Sequence, residues 1–468
     1  MPDSPAKVVA DAIHGDIHLS EEECRVVDTA SFQRLRHIKQ LGMAHLVYPN
    51  AVHTRFAHSL GALGTIERLL AAERCKLELE PILKRNLRLA ALLHDVGHYP
   101  YSHLMEGIDK VELAEELVED TKPLDQGGAA SRYPNHGVLS RTVITEQHDL
   151  RDALGGLDQA TAVADLINRE HVRDVQVSNL ISSSLDLDRF DYLLRDSMGT
   201  GVPYGHIDLH YLLNNIRASP RGLLGVPEKA LPAVEQFLFA RYFITRVVYY
   251  HKTVFGFEEA CRQLLRRLRD RPEYEVPADG DAVDTLARRT VFVGFTDAWV
   301  DERIQRATTD NNPVIAALAT CLYTRRPPKL LKEVQSLAER GATNHTQAKV
   351  FRVNCRHGLR TLANDHGVEI GRFMLCQTKP LTLEDRPARM TAEQARDRPP
   401  EEEDPVVKVF LDDNTEPTSI VDVPHGIIGK CSGFTYQAHR LYFVPTSGDP
   451  AGVADELREQ VKGWDKAP

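Results

Sequence analysis

From Ser20 to about residue 270, apolar residues return at helical spacing. Ser20-Glu-Glu-Glu23 opens this region with a capping-box pattern, and Val26, Val27, Phe32, Leu35 and Ile38 follow at the spacing of one helix face. A helical run is expected from Ala62 to Cys75. Leu87 to Leu93 reads as a buried helix that Gly97 and Pro100 bring to an end. Leu185, Phe190, Leu193 and Leu194 mark another helix. Leu231 to Arg269 reads as one long helix, or as two in tandem if Gly256 breaks it. Lys122 to Asn135, with Gly127-Gly128 and Pro134, reads as a loop.

The pattern changes after Arg326-Pro327-Pro328. It predicts a helix from Leu330 to Arg340, a strand over Val350–Val353 and a helix near Leu359. The Pro-rich acidic stretch 386–405 is expected to be an exposed or disordered loop. Strands at Val406–Leu411 and Arg440–Val444 and a helix from Ala454 to Lys462 complete the chain. No internal repeat is visible. The expected fold is mainly α: a helical domain over 1–328 with a small C-terminal α/β appendage over 329–468.

Composition narrows the partners. Hydrophobic residues make up 42% and charged residues 26% of the 468, as in a soluble globular protein. No apolar run approaches the roughly 18 residues of a spanning helix. The start, Met-Pro-Asp-Ser-Pro, lacks a signal-peptide core. The 7 cysteines are scattered without a CxxC pair, which implies reduced thiols, a cytoplasmic protein and no cysteine zinc site. A net charge of −10 argues against a broad nucleic-acid surface, although Arg262–Arg271 and Arg325-Arg326-Pro-Pro-Lys329 are local cation clusters.

One segment does not fit an ordinary core. Leu92-Leu-His94-Asp95-Val-Gly97-His98-Tyr-Pro100-Tyr-Ser-His103 puts imidazoles and a carboxylate at the end of an apolar helix, where an unpaired polar group costs several kcal/mol. On a helix, His94 and His98 would share a face, with Asp95 within reach of His98. Such a donor set suits a divalent metal. Upstream, His53-Thr-Arg55-Phe-Ala-His58-Ser-Leu-Gly61 adds histidines beside an arginine. Downstream, Asp186-Leu-Asp188-Arg189-Phe-Asp191-Tyr192 adds carboxylates at helical spacing.

The ordered set His58, His94-Asp95, Asp188 resembles the HD-domain phosphohydrolases. Further motifs occur in the same order: Asp11-Ala-Ile-His14-Gly15, Phe32-Gln33-Arg-Leu-Arg36-His-Ile-Lys-Gln40-Leu41-Gly42 and Arg55-Phe-Ala-His58-Ser-Leu-Gly61. Together they resemble the HD-domain deoxynucleoside triphosphate triphosphohydrolases over roughly Lys7 to Lys332.

The resemblance implies a divalent ion (Mn, Fe, Mg or Zn) on His58, His94, Asp95 and Asp188, able to polarise a phosphoryl group. It implies catalytic roles for His98, His103 and His136. Glu106 stands where the family usually has aspartate, holding His103 protonated as general acid. Arg55, Arg189 and Arg241 would meet phosphate. Gln40, with Leu41 beside it, and Asp196 would hold the sugar 3′-hydroxyl, and Tyr192 and Tyr249 would leave no space for a 2′-hydroxyl. Arg241, Thr245, Tyr249 and Lys252 share one face of the expected helix; Thr245 replaces a histidine of relatives.

Lys7, Asp28, Gln33, Arg36 and Arg325 resemble residues that bind a guanine-nucleotide activator between subunits, with Ala10 replacing a usual asparagine. The implied protein is a homotetramer or dimer that cleaves deoxynucleoside triphosphates to deoxynucleoside and inorganic triphosphate. Two rivals remain: an HD phosphohydrolase acting on another nucleotide or single-stranded nucleic acid, and a nucleotide-sensing scaffold. A scaffold has no need of a general acid.

Overall fold

The computed structural model describes residues 5–72, 79–119, 132–168, 180, 187–219, 224–339, 346–384, 406–411 and 416–466. The expected acidic loop at 386–405, the Gly127-Gly128 part of the 122–135 loop, Cys75, Leu185 and Asp186 lie outside the described residues.

The fold is mainly helical. It opens on an antiparallel hairpin, β1 (Lys7–Asp11) against β2 (Gly15–Leu19), turned through Gly15 at φ +67°. Ser20 then caps α1 (Glu21–Val27) with the expected reciprocal box. Phe32, Leu35 and Ile38 are fully buried but do not continue that helix. Thr29 caps a fresh turn at Ala30–Gln33, which tightens into a 3-10 turn at Arg34–His37.

The next helices are α2 (Arg55–Ala71), α3 (Pro81–Leu93), α4 (Ala114–Glu119), α5 (His136–Glu146) and α6 (Leu187–Thr200), and all but α4 carry or adjoin residues of the expected chemistry. The stretch Leu231–Arg269 is two helices in tandem, α7 (Leu231–Ile244) and α8 (Lys252–Arg269). A π turn at Thr245–Tyr249 separates them, and His251 caps α8 by accepting from the Thr253 amide at 3.3 Å. Gly256 does not cause the break. It lies inside α8, where the Tyr442 ring packs so closely that a Cβ would come within 3.1 Å of it.

The C-terminal region departs most from expectation. Residues predicted as a helix from Leu330 form β3 (Lys329–Glu339). Those predicted as a strand at Val350–Val353 belong to α9 (Thr346–Asp365). β4 (Phe373–Gln377), β5 (Lys408–Phe410), β6 (Phe434–Phe443) and α10 (Val453–Val461) follow. The three-stranded sheet has the antiparallel order β3–β6–β4. Leu331, Val334 and Ala338 are spaced as on a helix, yet a register shift between Leu330 and Lys332 brings them to one side of a strand. In α9 the buried residues Phe351, Cys355, Leu359 and Leu362 keep a helical period that outlasts the short alternation at 350–353.

One apolar cluster runs through Ile17, Leu63, Leu92, Phe190 and Phe257 and takes in Tyr442 and Val444. A second joins Phe351, Phe373, Phe443 and Leu457 to Ala114 and Leu117 of α4. Apolar packing therefore crosses position 328 in both directions. Among the described residues, no helix is long and apolar enough to cross a membrane.

Candidate functional site

Two helices and the turn after a third deliver the expected metal ligands. Arg55 and His58 come from the first turn of α2, and Asp188 from the first turn of α6. α3 stops at Leu93, so His94 is its C-cap and Asp95 lies in the turn beyond. The predicted shared helix face of His94 and His98 is thus not formed. Gly97 explains why: a Cβ there would lie 2.1 Å from the Ser140 backbone nitrogen, so the chain turns tightly against α5. Ser140 pins the turn, its hydroxyl accepting from the Gly97 amide at 3.0 Å and donating to the His94 carbonyl at 2.8 Å.

His58 Nε2 lies 3.2 Å from His94 Nε2, 2.9 Å from Asp188 Oδ1 and 3.6 Å from Asp95 Oδ2. His94 Nε2 lies 3.4 Å from Asp95 Oδ1 and 3.8 Å from Asp188 Oδ1. The Nδ1 atoms face away from this centre, toward Asp191 at 2.7 Å for His58 and the Ala91 carbonyl at 2.8 Å for His94. Histidines that ligate metals are oriented in this way by their second nitrogen. Burial alone would lower the His58 pKa, but Asp188 and Asp191 outweigh it and raise it to about 10. The carboxylates therefore favour positive charge at this point, and the nitrogen–oxygen donor set fits a divalent ion. Burial likewise would raise the Asp95 carboxyl, yet Arg55, His94 and His58 hold it well below the ordinary carboxylate range. Arg55 Nη1 donates to Asp95 at 2.5 Å and its Nε to Ser102 at 3.0 Å. Tyr101 and Ser102 adopt left-handed φ values of 53° and 58°, strain of the kind found at functional sites.

A second cluster gathers His98, His103, Glu106 and His136. Glu106 accepts from His136 at 2.7 Å and from His103 at 3.2 Å. The expected Glu106–His103 pairing is present, but the carboxylate is shared and its shorter bond goes to His136. The His98 and His136 rings stack at 4.1 Å. Burial, with Arg55 and the neighbouring imidazoles, lowers the His98 pKa well below the usual value, and both ring nitrogens lack a hydrogen-bond partner among the described residues. The His103 pKa is also lowered, first by burial and then against the Glu106 pull; the 58% of its side chain that meets solvent limits that effect. Glu106 thus does not raise His103 above its ordinary value as expected. The two clusters meet where His98 Nε2 stands 3.4 Å from Asp95 Oδ1.

The expected sugar residues come together in part. Asp196 is buried and accepts from Tyr249 at 2.5 Å and from His53 at 2.8 Å. Burial, then Asp196, Tyr192 and Asp188, raise the Tyr249 pKa, which places this phenol within electrostatic reach of Asp188. Gln40 donates its backbone amide to the His53 carbonyl at 3.0 Å, and its buried Oε1 has no partner among the described residues. Leu41 is half-buried beside it. Arg189 is half-buried in the first turn of α6. Arg241 donates to the Leu383 carbonyl, and Thr245 to the Arg241 carbonyl at 2.8 Å. The π turn, which holds Thr245 and Tyr249, stands between Arg241 and Lys252, so the predicted common face is interrupted.

Of the expected activator residues, Lys7 lies in β1 and Asp28 is the C-cap of α1. Gln33 donates to the Val27 carbonyl at 2.7 Å and accepts from Arg36 at 2.6 Å, and Arg36 lies over the Phe56 ring at 3.5 Å. Arg325 donates to the Leu46 carbonyl at 2.7 Å. Gln33 and Arg36 are thus joined to one another, while Arg325 is anchored on a different segment.

Asp191, His53, His14 and Arg195 carry no expected role from sequence. Asp191 lies inside the Asp186–Tyr192 motif, three residues after Asp188 on the same helix face, which is the signal that points to it.

Residues 55–196 match the family model described as the HD domain. A Bacillus subtilis protein, YwfO, is 32% identical over 266 residues, covering 56% of this chain and 56% of that protein. The Homo sapiens deoxynucleoside triphosphate triphosphohydrolase SAMHD1 is 42% identical over 219 residues, covering 42% of this chain and 34% of that protein. The chain spans about half the length of the first curated relatives it matches, such as a Methanocaldococcus jannaschii protein of which it covers 47%. In backbone it is similar to a phosphohydrolase from Bacteroides thetaiotaomicron, with a TM-score of 0.67 and 21% identity over 93% of this chain and 99% of that one. The segment 55–196, which holds the whole candidate metal centre, is an HD domain.

Proposed function

We propose that the protein is a metal-dependent hydrolase of deoxynucleoside triphosphates that releases deoxynucleoside and inorganic triphosphate. The observation that carries this reading is the meeting of the two clusters at Asp95 and His98, 3.4 Å apart. It sets a phosphate-polarising centre beside groups able to move a proton. His58, His94, Asp95 and Asp188 would hold a divalent ion, which would supply charge to polarise a phosphoryl oxygen. Arg55 and Arg189 adjoin the ligand carboxylates and offer guanidinium forks to the phosphates. Water forms the new bond to the α-phosphorus as the P–O5′ bond breaks; His103, whose side chain is largely exposed, donates a proton to the departing 5′-oxygen, and Glu106 positions both His103 and His136. The Gln40 Oε1, buried without a partner among the described residues, suits a hydroxyl donor, and Asp196 with Tyr249 forms the remaining sugar wall.

The SAMHD1 relative supports the substrate class by its name and by its identity over 219 residues. The test is product analysis with the four deoxynucleoside triphosphates and their ribonucleotide counterparts, with and without GTP, across Mn, Fe, Mg and Zn. Deoxynucleoside and triphosphate are expected. Release of monophosphate or pyrophosphate would move the cleaved bond, and nucleotide binding without turnover would favour a sensor.

A further inference from the structure

Behind the metal ligands lies a buried layer that the catalytic scheme leaves unused. Asp191 Oδ1 accepts from His14 Nε2 at 2.7 Å and Arg195 Nη2 at 2.8 Å. Its Oδ2 accepts from His58 Nδ1 at 2.7 Å and Arg195 Nε at 2.9 Å. An ionised carboxylate only accepts, and these donors occupy its lone-pair sites. His58 must therefore carry its hydrogen on Nδ1, leaving Nε2 for the metal.

The layer extends to the N-terminal hairpin. Arg195 also reaches Asp11 at 3.0 and 3.1 Å, and Asp11 accepts from the His14 and Ile13 amides at 2.9 Å. Side chains of His14, Asp191 and Arg195 are only 1%, 0% and 4% exposed. His14 Nδ1 is buried without a partner among the described residues, a desolvation cost that an apolar side chain would avoid. Gly61, one turn after His58, makes room: a Cβ there would stand 1.9 Å from Asp191 Oδ1.

We propose that His14 is a positioning residue for the metal centre, coupling metal retention to docking of the β1–β2 hairpin through Asp191. The proposal rests on His58 being a ligand. Without His14, Asp191 loses one of its restraints and the His58 ring is held less firmly. Coupling of this kind is reciprocal, so the metal also steadies the hairpin.

The experiment is chelator competition on the purified protein, comparing wild type, His14→Ala and His14→Gln, whose amide nitrogen can replace Nε2. His14→Ala should bind metal roughly 10–100-fold more weakly, the usual loss for an outer partner of a metal ligand, and His14→Gln should recover most of it. A purely structural role would lower the melting temperature of the metal-free protein and leave metal affinity unchanged. Hydrogen exchange on wild type needs no variant: removing metal should expose amides 7–19 more than those of β6. Wild-type affinity in His14→Ala, or hairpin exchange indifferent to metal, overturns the coupling. Full metal content in His58→Ala would instead overturn the ligand assignment itself.

Discussion

His94 shares its Nε2 with the His58–Asp188 centre, whereas His98, four positions later, is stacked on His136 with neither nitrogen bonded among the described residues. His94→Ala and Asp95→Ala should therefore lose bound metal while remaining folded, as checked by elemental analysis beside circular dichroism; full occupancy in either variant removes that residue from the ligand set. His103→Ala should retain metal and lose activity on the order of 10²–10⁴-fold, the range for general acid–base groups. A variant within tenfold of wild type would transfer the role to another group. The pH profile carries a sign. A general acid works protonated, so activity falls as pH rises through the His103 pKa, which burial draws below the ordinary histidine value. Glu106 opposes that shift, so Glu106→Gln should move the falling limb to still lower pH. A limb that stays in place would mean that another group titrates.

At the scale of elements, what could be read from the sequence depended on how local the cause was. The Ser20–Glu23 box formed as expected because both partners lie within one turn. The gathering of His58, His94, Asp95 and Asp188 was legible because their motifs repeat a known order, although His94 and Asp95 sit past the helix end rather than on it. β3 was illegible because its apolar spacing is helical and only the partner strand β6, about a hundred residues later, fixes it as a strand. Asp191 was hidden for a similar reason, since its partners His14 and His58 are distant in sequence. The turn after α3 gives a direct test of such a distant constraint. Gly97→Ala would drive a Cβ into the Ser140 and Leu139 backbone, at 2.1 and 2.4 Å. It should cost roughly 1–3 kcal/mol or more, as overpacking does. Gly294→Ala, with nothing within 4 Å, is the control and should stay within about 0.5 kcal/mol. Equal denaturant midpoints for the two variants would show that the turn relaxes freely.

Across the whole molecule, the N-terminal hairpin links two proposals. Its turn reaches His58 of the candidate metal centre through His14 and Asp191, while Lys7 at its other end belongs to the expected activator set. Lys7 and Asp28 both lie within electrostatic reach of Cys24, and Gln33 and Arg36 are bonded to one another close by in sequence. Charged and polar groups so placed can read a nucleotide that bridges subunits, with Asp28 and Gln33 addressing a base edge and the cations its phosphates. A ligand that binds only an assembled form shifts the population toward that form by mass action. Guanine nucleotide should therefore raise both oligomer size and activity, giving a tetramer, or a dimer that becomes one. Arg36 is exposed, so Arg36→Ala should weaken the nucleotide response more than it weakens the fold, although it also gives up the contacts with Phe56 and Gln33. Light scattering during turnover measures both quantities together. A fully active monomer indifferent to GTP would leave these residues as a polar surface, and the hairpin would then serve the metal centre alone.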